Sequence, residues 1–112
     1  MKLINSRTES LIRERLLKFE SIILKNDAIN DLLNHQFSQI ESVYCLNQVI
    51  EQGEDIYTLL VNNQYIIEFE LSRIDGVISK INIQSLNQYK KEVKDKSSRL
   101  TLSIAMDLSN KT

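Results

Sequence analysis

Residues 57–79 read YTLLVNNQYIIEFELSRIDGVIS, and the way this stretch pairs with its neighbours decides the fold. Two turn signals interrupt it, Asn62-Asn63 and Asp75-Gly76. Apolar residues stand at odd and even positions alike, whereas a strand with one wet face alternates. The stretch is therefore a pair of strands with apolar groups on both faces, and something has to cover the second face.

Turn chemistry sets an expected register. Asparagine tolerates the left-handed backbone that a two-residue hairpin loop needs, so Asn62-Asn63 predicts Val61 opposite Gln64, Leu60 opposite Tyr65 and Thr58 opposite Ile67. At the next turn a three-residue loop, Ile74-Asp75-Gly76 with Gly76 left-handed, predicts Phe69 opposite Ile81, Ile67 opposite Ile83 and Glu70 opposite Lys80. Gln52-Gly53 joins a strand over residues 43 to about 50 to one beginning near Ile56. In these registers one face carries Val43, Cys45, Val49, Ile56, Leu60, Tyr65, Ile67, Phe69, Leu71, Ile81 and Ile83 and is the expected core face. The other face is split: Tyr44, Leu46, Tyr57, Leu59, Val61 and Ile66 are apolar, and Glu68, Glu70, Lys80, Asn82 and Gln84 are polar.

Upstream, the period is helical. Ser6-Arg7-Thr8-Glu9 fits a capping box, and Ile12, Leu16, Phe19 and Ile23 follow it on one stripe. Asn26-Asp27 supplies a second cap, after which Ile29, Leu33, Gln36, Phe37 and Ile40 share a face. Downstream, residues 86–96 (LNQYKKEVKDK) offer a short basic helix with Leu86, Tyr89 and Val93 as its apolar stripe. Leu100, Leu102, Ile104, Met106 and Leu108 then alternate with Thr101, Ser103, Ala105 and Asp107, the pattern of a half-buried closing strand. The expected fold class is α+β, as one domain over residues 1–112. An N-terminal helical hairpin packs on an antiparallel meander sheet of about five strands, with a short basic helix before the last strand. The 86–96 helix is too sparsely apolar to cover the outer face by itself, so a second copy or another protein is expected there.

Length and composition bound the rest. A chain of 112 residues with 42% hydrophobic and 26% charged residues buries a core without metals or disulfides. The longest apolar runs are far short of a membrane span, the N-terminus has no apolar leader, and the single cysteine, Cys45, fits a reducing compartment. Cytoplasmic residence without membrane association is expected.

Candidate chemistry is sparse. His35 is the only histidine and stands at i, i+4 from Asp31, which reads as a helix-surface pair; a multi-histidine metal site cannot be built. A Cys45–His35 nucleophile dyad would need an exposed thiol, yet the register points Cys45 into the core. Glu54-Asp55 and the Glu68, Glu70 pair are solvated carboxylates in a turn and on a wet strand face. The two glycines lie far apart and cannot form a phosphate-cradling loop. No catalytic residue, cofactor or metal is expected.

Charge is polarised along the chain although the formal net charge is only −1. Residues 27–75 hold nine acids against Arg73, a net of −8, and residues 80–99 hold six bases against Glu92 and Asp95, a net of +4. Nucleic acid is disfavoured, since only Tyr89 interleaves an aromatic ring with the basic residues. The sequence points first to a small protein-binding module, an inhibitor or immunity-type protein that neutralises a basic partner such as a nuclease toxin. Its expected binding residues are Tyr44, Glu51, Glu54, Asp55, Tyr57, Leu59, Ile66, Glu68 and Glu70. A homodimeric adaptor or secretion chaperone built on the same patch is one alternative. A small-ligand or enzymatic domain with its pocket between helices and sheet is the other.

Overall fold

The computed structural model describes residues 2–110, with the side chains of residues 2–6 outside the description. Two helices lead, α1 (Lys2–Lys25) and α2 (Asp27–Gln36). The backbone is already helical at Lys2, so the expected start at Ser6 is corrected, and the Ser6 hydroxyl of that capping box lies outside the described residues. The spacing that suits a cap also suits two residues one turn apart inside a helix, and no proline or glycine near Ser6 stops the helix from extending backwards. The second cap stands where the sequence places it: Asn26 Oδ1 accepts the Ile29 N–H at 3.1 Å.

A four-stranded antiparallel meander follows, β1 (Val43–Glu51), β2 (Glu54–Val61), β3 (Tyr65–Ser72) and β4 (Ile78–Ser85), in the order β1-β2-β3-β4. The Gln52-Gly53 turn is as expected, with Glu51 opposite Glu54. The β2–β3 register differs by one residue. Val61 faces Tyr65, Leu60 faces Ile66 and Thr58 faces Glu68, because the connection takes three residues, 62–64. A slip of one turns every β2 side chain to the other face. Tyr57, Leu59 and Val61 therefore share the face of Phe69 and Ile67, and Ile56, Thr58 and Leu60 share that of Glu68 and Ile66. At the β3–β4 turn Ile67 faces Ile83 as expected and Gly76 is left-handed at φ 72°. Glu70, however, faces Ser79 and not Lys80. The extra residue is absorbed in a bulge opposite Phe69, where Lys80 adopts φ 54°.

The reason for the longer Asn62 loop lies outside the hairpin. Asn62 Oδ1 accepts the N–H groups of Glu41 (2.6 Å) and Ser42 (3.2 Å), and its Nδ2 donates to the Gln39 carbonyl (2.7 Å), so this side chain pins the segment that leads into β1. Asn62 and Asn63 are both left-handed, at φ 54° and 55°. Asn62→Gly keeps the backbone freedom and loses only the side-chain bonds, whereas Asn62→Ala loses both. Denaturant titration should rank them wild type, Gly, Ala, with alanine roughly 1–2 kcal/mol below glycine. Equal stability of the two variants would contradict a strained turn.

After the meander come α3 (Leu86–Glu92) and α4 (Lys96–Asn110). The basic helix forms but is shorter than the expected 86–96: it ends at Glu92, with Val93 as its extended C-cap, and Ser85 Oγ caps its start by accepting the Gln88 N–H. The closing strand is corrected: residues 100–108 are helical, and the sheet has four strands instead of about five. Asp95 Oδ2 caps α4 by accepting the Ser98 N–H at 2.9 Å. Thr101 and Ser109 return their hydroxyl protons to the carbonyls one turn back, of Ser97 and Ala105, which lets them sit inside a helix. Thr101 and Ala105 belong to the wet side of a strand, yet both are buried. They stand four residues apart and share a helix face with Leu108 and, flanking it, Leu102 and Ile104.

Two cores result, one on each side of the sheet. Val43, Cys45, Leu59, Val61, Ile67 and Phe69 pack with Ile23 of α1 and with Ile29 and Leu33 of α2. On the opposite face Tyr44, Leu60 and Ile66 pack with Ile12 and Leu16 of α1, Leu86 of α3, and Leu102, Ile104 and Ala105 of α4. The second face is thus covered by the chain itself. Helix α1 runs beside β1, touches α2 and α4 as well, and contributes to both cores. Arg13 Nη2 ties it to Asp107 of α4 at 2.7 Å. The far edge, β4, has no such cover among the described residues, and most of its residues are exposed.

Candidate functional site

The residues expected to bind a partner separate into two groups. Tyr44, Leu59 and Ile66 are buried, and Tyr57 is half-buried with its ring stacked on Phe69 at 5.4 Å between centroids. As an open patch this apolar set is corrected. Leu59 and Tyr57 changed faces with the one-residue register, and α1 with α4 closes over Tyr44 and Ile66.

The acids stay at the surface and divide again. Asp55 points to the Phe69 face, where Arg73 donates from both Nε (3.0 Å) and Nη2 (2.7 Å) to its Oδ1. That pairing holds the Arg73 guanidinium above its ordinary value and leaves Asp55 locally neutralised. Glu68 lies on the other face and accepts the Thr58 hydroxyl at 3.3 Å, with Tyr89 of α3 near it. Burial, and then the Glu68 charge, push the Tyr89 phenol up.

Glu51, Glu54 and Glu70 come together around a groove of about 570 Å³ at the end of the sheet remote from α3, with Gln52, Ile56 and Lys80 completing its wall. The positions follow from the strand pairing. Glu51 faces Glu54 across the β1–β2 turn, and Glu70 faces Ile56, one step along the same face from Glu54. Glu54 and Glu70 interact as neighbouring carboxyls, which raises Glu54 above its ordinary value and lowers Glu70 below its own. Two carboxylates side by side on one face disfavour full ionisation of both, so the pair gives up its protons in two steps. Lys80 Nζ reaches Glu70 at 3.3 Å but is itself largely exposed, so it screens one carboxylate of the three. Val49, exposed, stands on the same face as Glu51 and opposite Ile56, whereas Ile50, also exposed, shares the other face with Asp55. The site is an acidic concavity with an apolar margin.

The other candidates for chemistry are closed off. Among the described residues, no group of three or more His, Cys, Asp or Glu is placed to hold a metal ion. His35 is exposed on α2, and Cys45 is buried, its Sγ donating to the Asn47 carbonyl at 3.4 Å. Burial pushes the Cys45 thiol up to about 11, so it is protonated at neutral pH and a poor nucleophile. Sequence reasoning missed a polar cavity of about 310 Å³ beside it, where Arg15 of α1 meets Ser97 and Thr101 of α4 at the β1 bulge. Reading α4 as a strand hid it. Among the described residues, no helix is long and apolar enough to cross a membrane. Compared with protein-family models, curated proteins and solved structures, the chain matches none of them.

Proposed function

We propose that this chain is a small protein-binding module of the inhibitor or immunity type, working in the cytoplasm, which holds a basic partner protein against the Glu51–Glu54–Glu70 groove. The observation that supports this reading is the gathering of Glu51, Glu54 and Glu70 around one open groove. A cationic side chain entering the groove relieves the repulsion among these carboxylates, so the site gains from a positively charged occupant what it lacks alone. The exposed Val49, opposite Ile56 on the same face, gives such a contact an apolar margin. Binding is the role proposed, because the groove is open to solvent and its polar wall is made of carboxylates, the Gln52 amide and the exposed Lys80 ammonium paired with Glu70. A reducing compartment suits the lone thiol.

The test begins with capture of the partner from the native cell on immobilised protein, followed by association kinetics with the purified pair. Glu51→Lys with Glu54→Lys should slow association roughly tenfold or more, and added salt should slow the wild type in the same direction. Lys90→Glu with Lys91→Glu should change little. Because a cationic partner favours the ionised form of Glu54, affinity should rise as pH increases through the Glu54 titration, which lies above its ordinary 4.5. Affinity indifferent to salt, to pH and to the groove reversals would remove the reading. Loss on reversing Lys90 and Lys91 instead would point to nucleic acid.

A further inference from the structure

The β4 edge is a further surface that the fold leaves open. Its residues 81–85 lie between two stops. On one side is the Lys80 bulge, whose left-handed backbone and charge interrupt a ladder; on the other is Ser85, which caps α3. Leu86 donates its N–H to the Gln64 carbonyl of the β3 side at 2.9 Å. Backbone groups alternate along an antiparallel strand, so those of residues 82 and 84 also face β3, while those of Ile81 and Ile83 face away from it. Ile81 and Ile83 are 44% and 38% exposed, and Tyr65, next to them on β3, is 41% exposed.

We propose that residues 81–85 pair antiparallel with the same residues of a second copy, about a two-fold axis at Ile83, joining two four-stranded sheets into one of eight. The sequence of this segment, Ile-Asn-Ile-Gln-Ser, is what singles out a second copy as the occupant. It carries no charge, so a two-fold axis sets no like charges opposite one another. Ile83 meets Ile83, Asn82 meets Gln84, whose amide already donates to Glu92 of α3 at 3.3 Å, and Ile81 meets Ser85. The two Ile83 residues exchange both of their backbone hydrogen bonds, and each Ser85 N–H reaches the Ile81 carbonyl of the other copy. Ile81, Ile83 and Tyr65 then continue as one apolar strip across the axis. The flanking Lys80 bulges end the ladder and fix its register. The contact is short beside a standard interface, which sets the expected dissociation constant in the micromolar range. The acidic grooves lie beyond the bulges and stay open, one on each copy.

Light scattering on a dilution series up to about 100 µM should give twice the chain mass of 13.0 kDa at the top and the chain mass at the bottom. Ile83→Lys should weaken self-association at least about tenfold while leaving the circular dichroism spectrum unchanged, since a charge on the edge blocks pairing. Ile83→Cys should cross-link under mild oxidation, because opposed residues of a hydrogen-bonded pair have Cα atoms about 5.5 Å apart, within disulfide range. Buried Cys45 does not compete. A wild-type monomer throughout the series overturns the proposal. So does a dimer in which Ile83→Cys forms no intermolecular disulfide, and that readout decides the matter even if Ile83→Lys fails to fold.

Discussion

Phe69→Ala should lower stability by about 3–5 kcal/mol, a large part of the roughly 5–15 kcal/mol that a domain of this kind has in total. Phe69 is fully buried at the centre of the core under α2, stacked on Tyr57 and surrounded by Leu59, Val61 and Ile67. Alanine would leave a cavity that strand backbone, pinned on both sides in the middle of a sheet, cannot collapse to fill. The residue also lies opposite the Lys80 bulge, where the β3–β4 ladder is irregular. Thermal unfolding should show a melting point roughly 10–25 °C lower. Glu70→Ala, one residue along and on the other face, should leave it nearly unchanged, because its Lys80 partner is largely exposed. A small effect of Phe69→Ala would mean that the core is not packed as described.

Ser103→Pro should cost about 3 kcal/mol or more, and Ser103→Ala should be neutral or slightly stabilising. Ser103 is exposed midway along α4, so neither change disturbs a buried contact directly. Proline there removes a backbone hydrogen bond and clashes with the preceding turn, and the break falls between Leu102 and Ile104, which close the core over Tyr44, Leu60 and Ile66. The alanine variant is the discriminating arm. Alanine favours helix over strand, so a loss of stability on Ser103→Ala, measured by urea titration, would contradict the helix.

How far the sequence could be read is visible in these same residues. The helical hairpin, the meander and the basic helix followed from local signals: the Asn26 cap, the Gln52-Gly53 turn, the left-handed Gly76, and the stripe that begins with Leu86 and Tyr89. What failed was decided at a distance. The β2 faces were inverted because the Asn62 side chain serves Gln39, Glu41 and Ser42, twenty or more residues away, and a hairpin read by itself cannot register that demand. Residues 100–108 satisfy both a period of two and a helical arc. Among them only the burial of Thr101 and Ala105 separates the two, and that depends on the layer α4 packs against. The Asp95 cap was a local sign of the helix that the alternation outweighed.

The candidate site was legible in part for the same reason. Charge is a property of composition, and Glu51, Glu54 and Glu70 meet because both turns hold their strands in the expected order. Asp55 left the set through an ion pair to Arg73, which lies on another strand's turn. Tyr57 and Leu59 left it by turning to the α2 side, and Tyr44 and Ile66 left it once α4 proved to be a helix that covers them.

Helix α1 carries a consequence for how the molecule comes apart. It puts Ile12 and Leu16 into one core and Ile23 into the other while lying along β1, so a single rigid rod is keyed into both layers. Lifting either end tilts the whole rod and loosens the opposite layer, which denies the two cores separate melting transitions. The molecule should behave as one cooperative unit whose seam is the β1 edge, with fraying confined to the β4 side, where no helix bridges the layers.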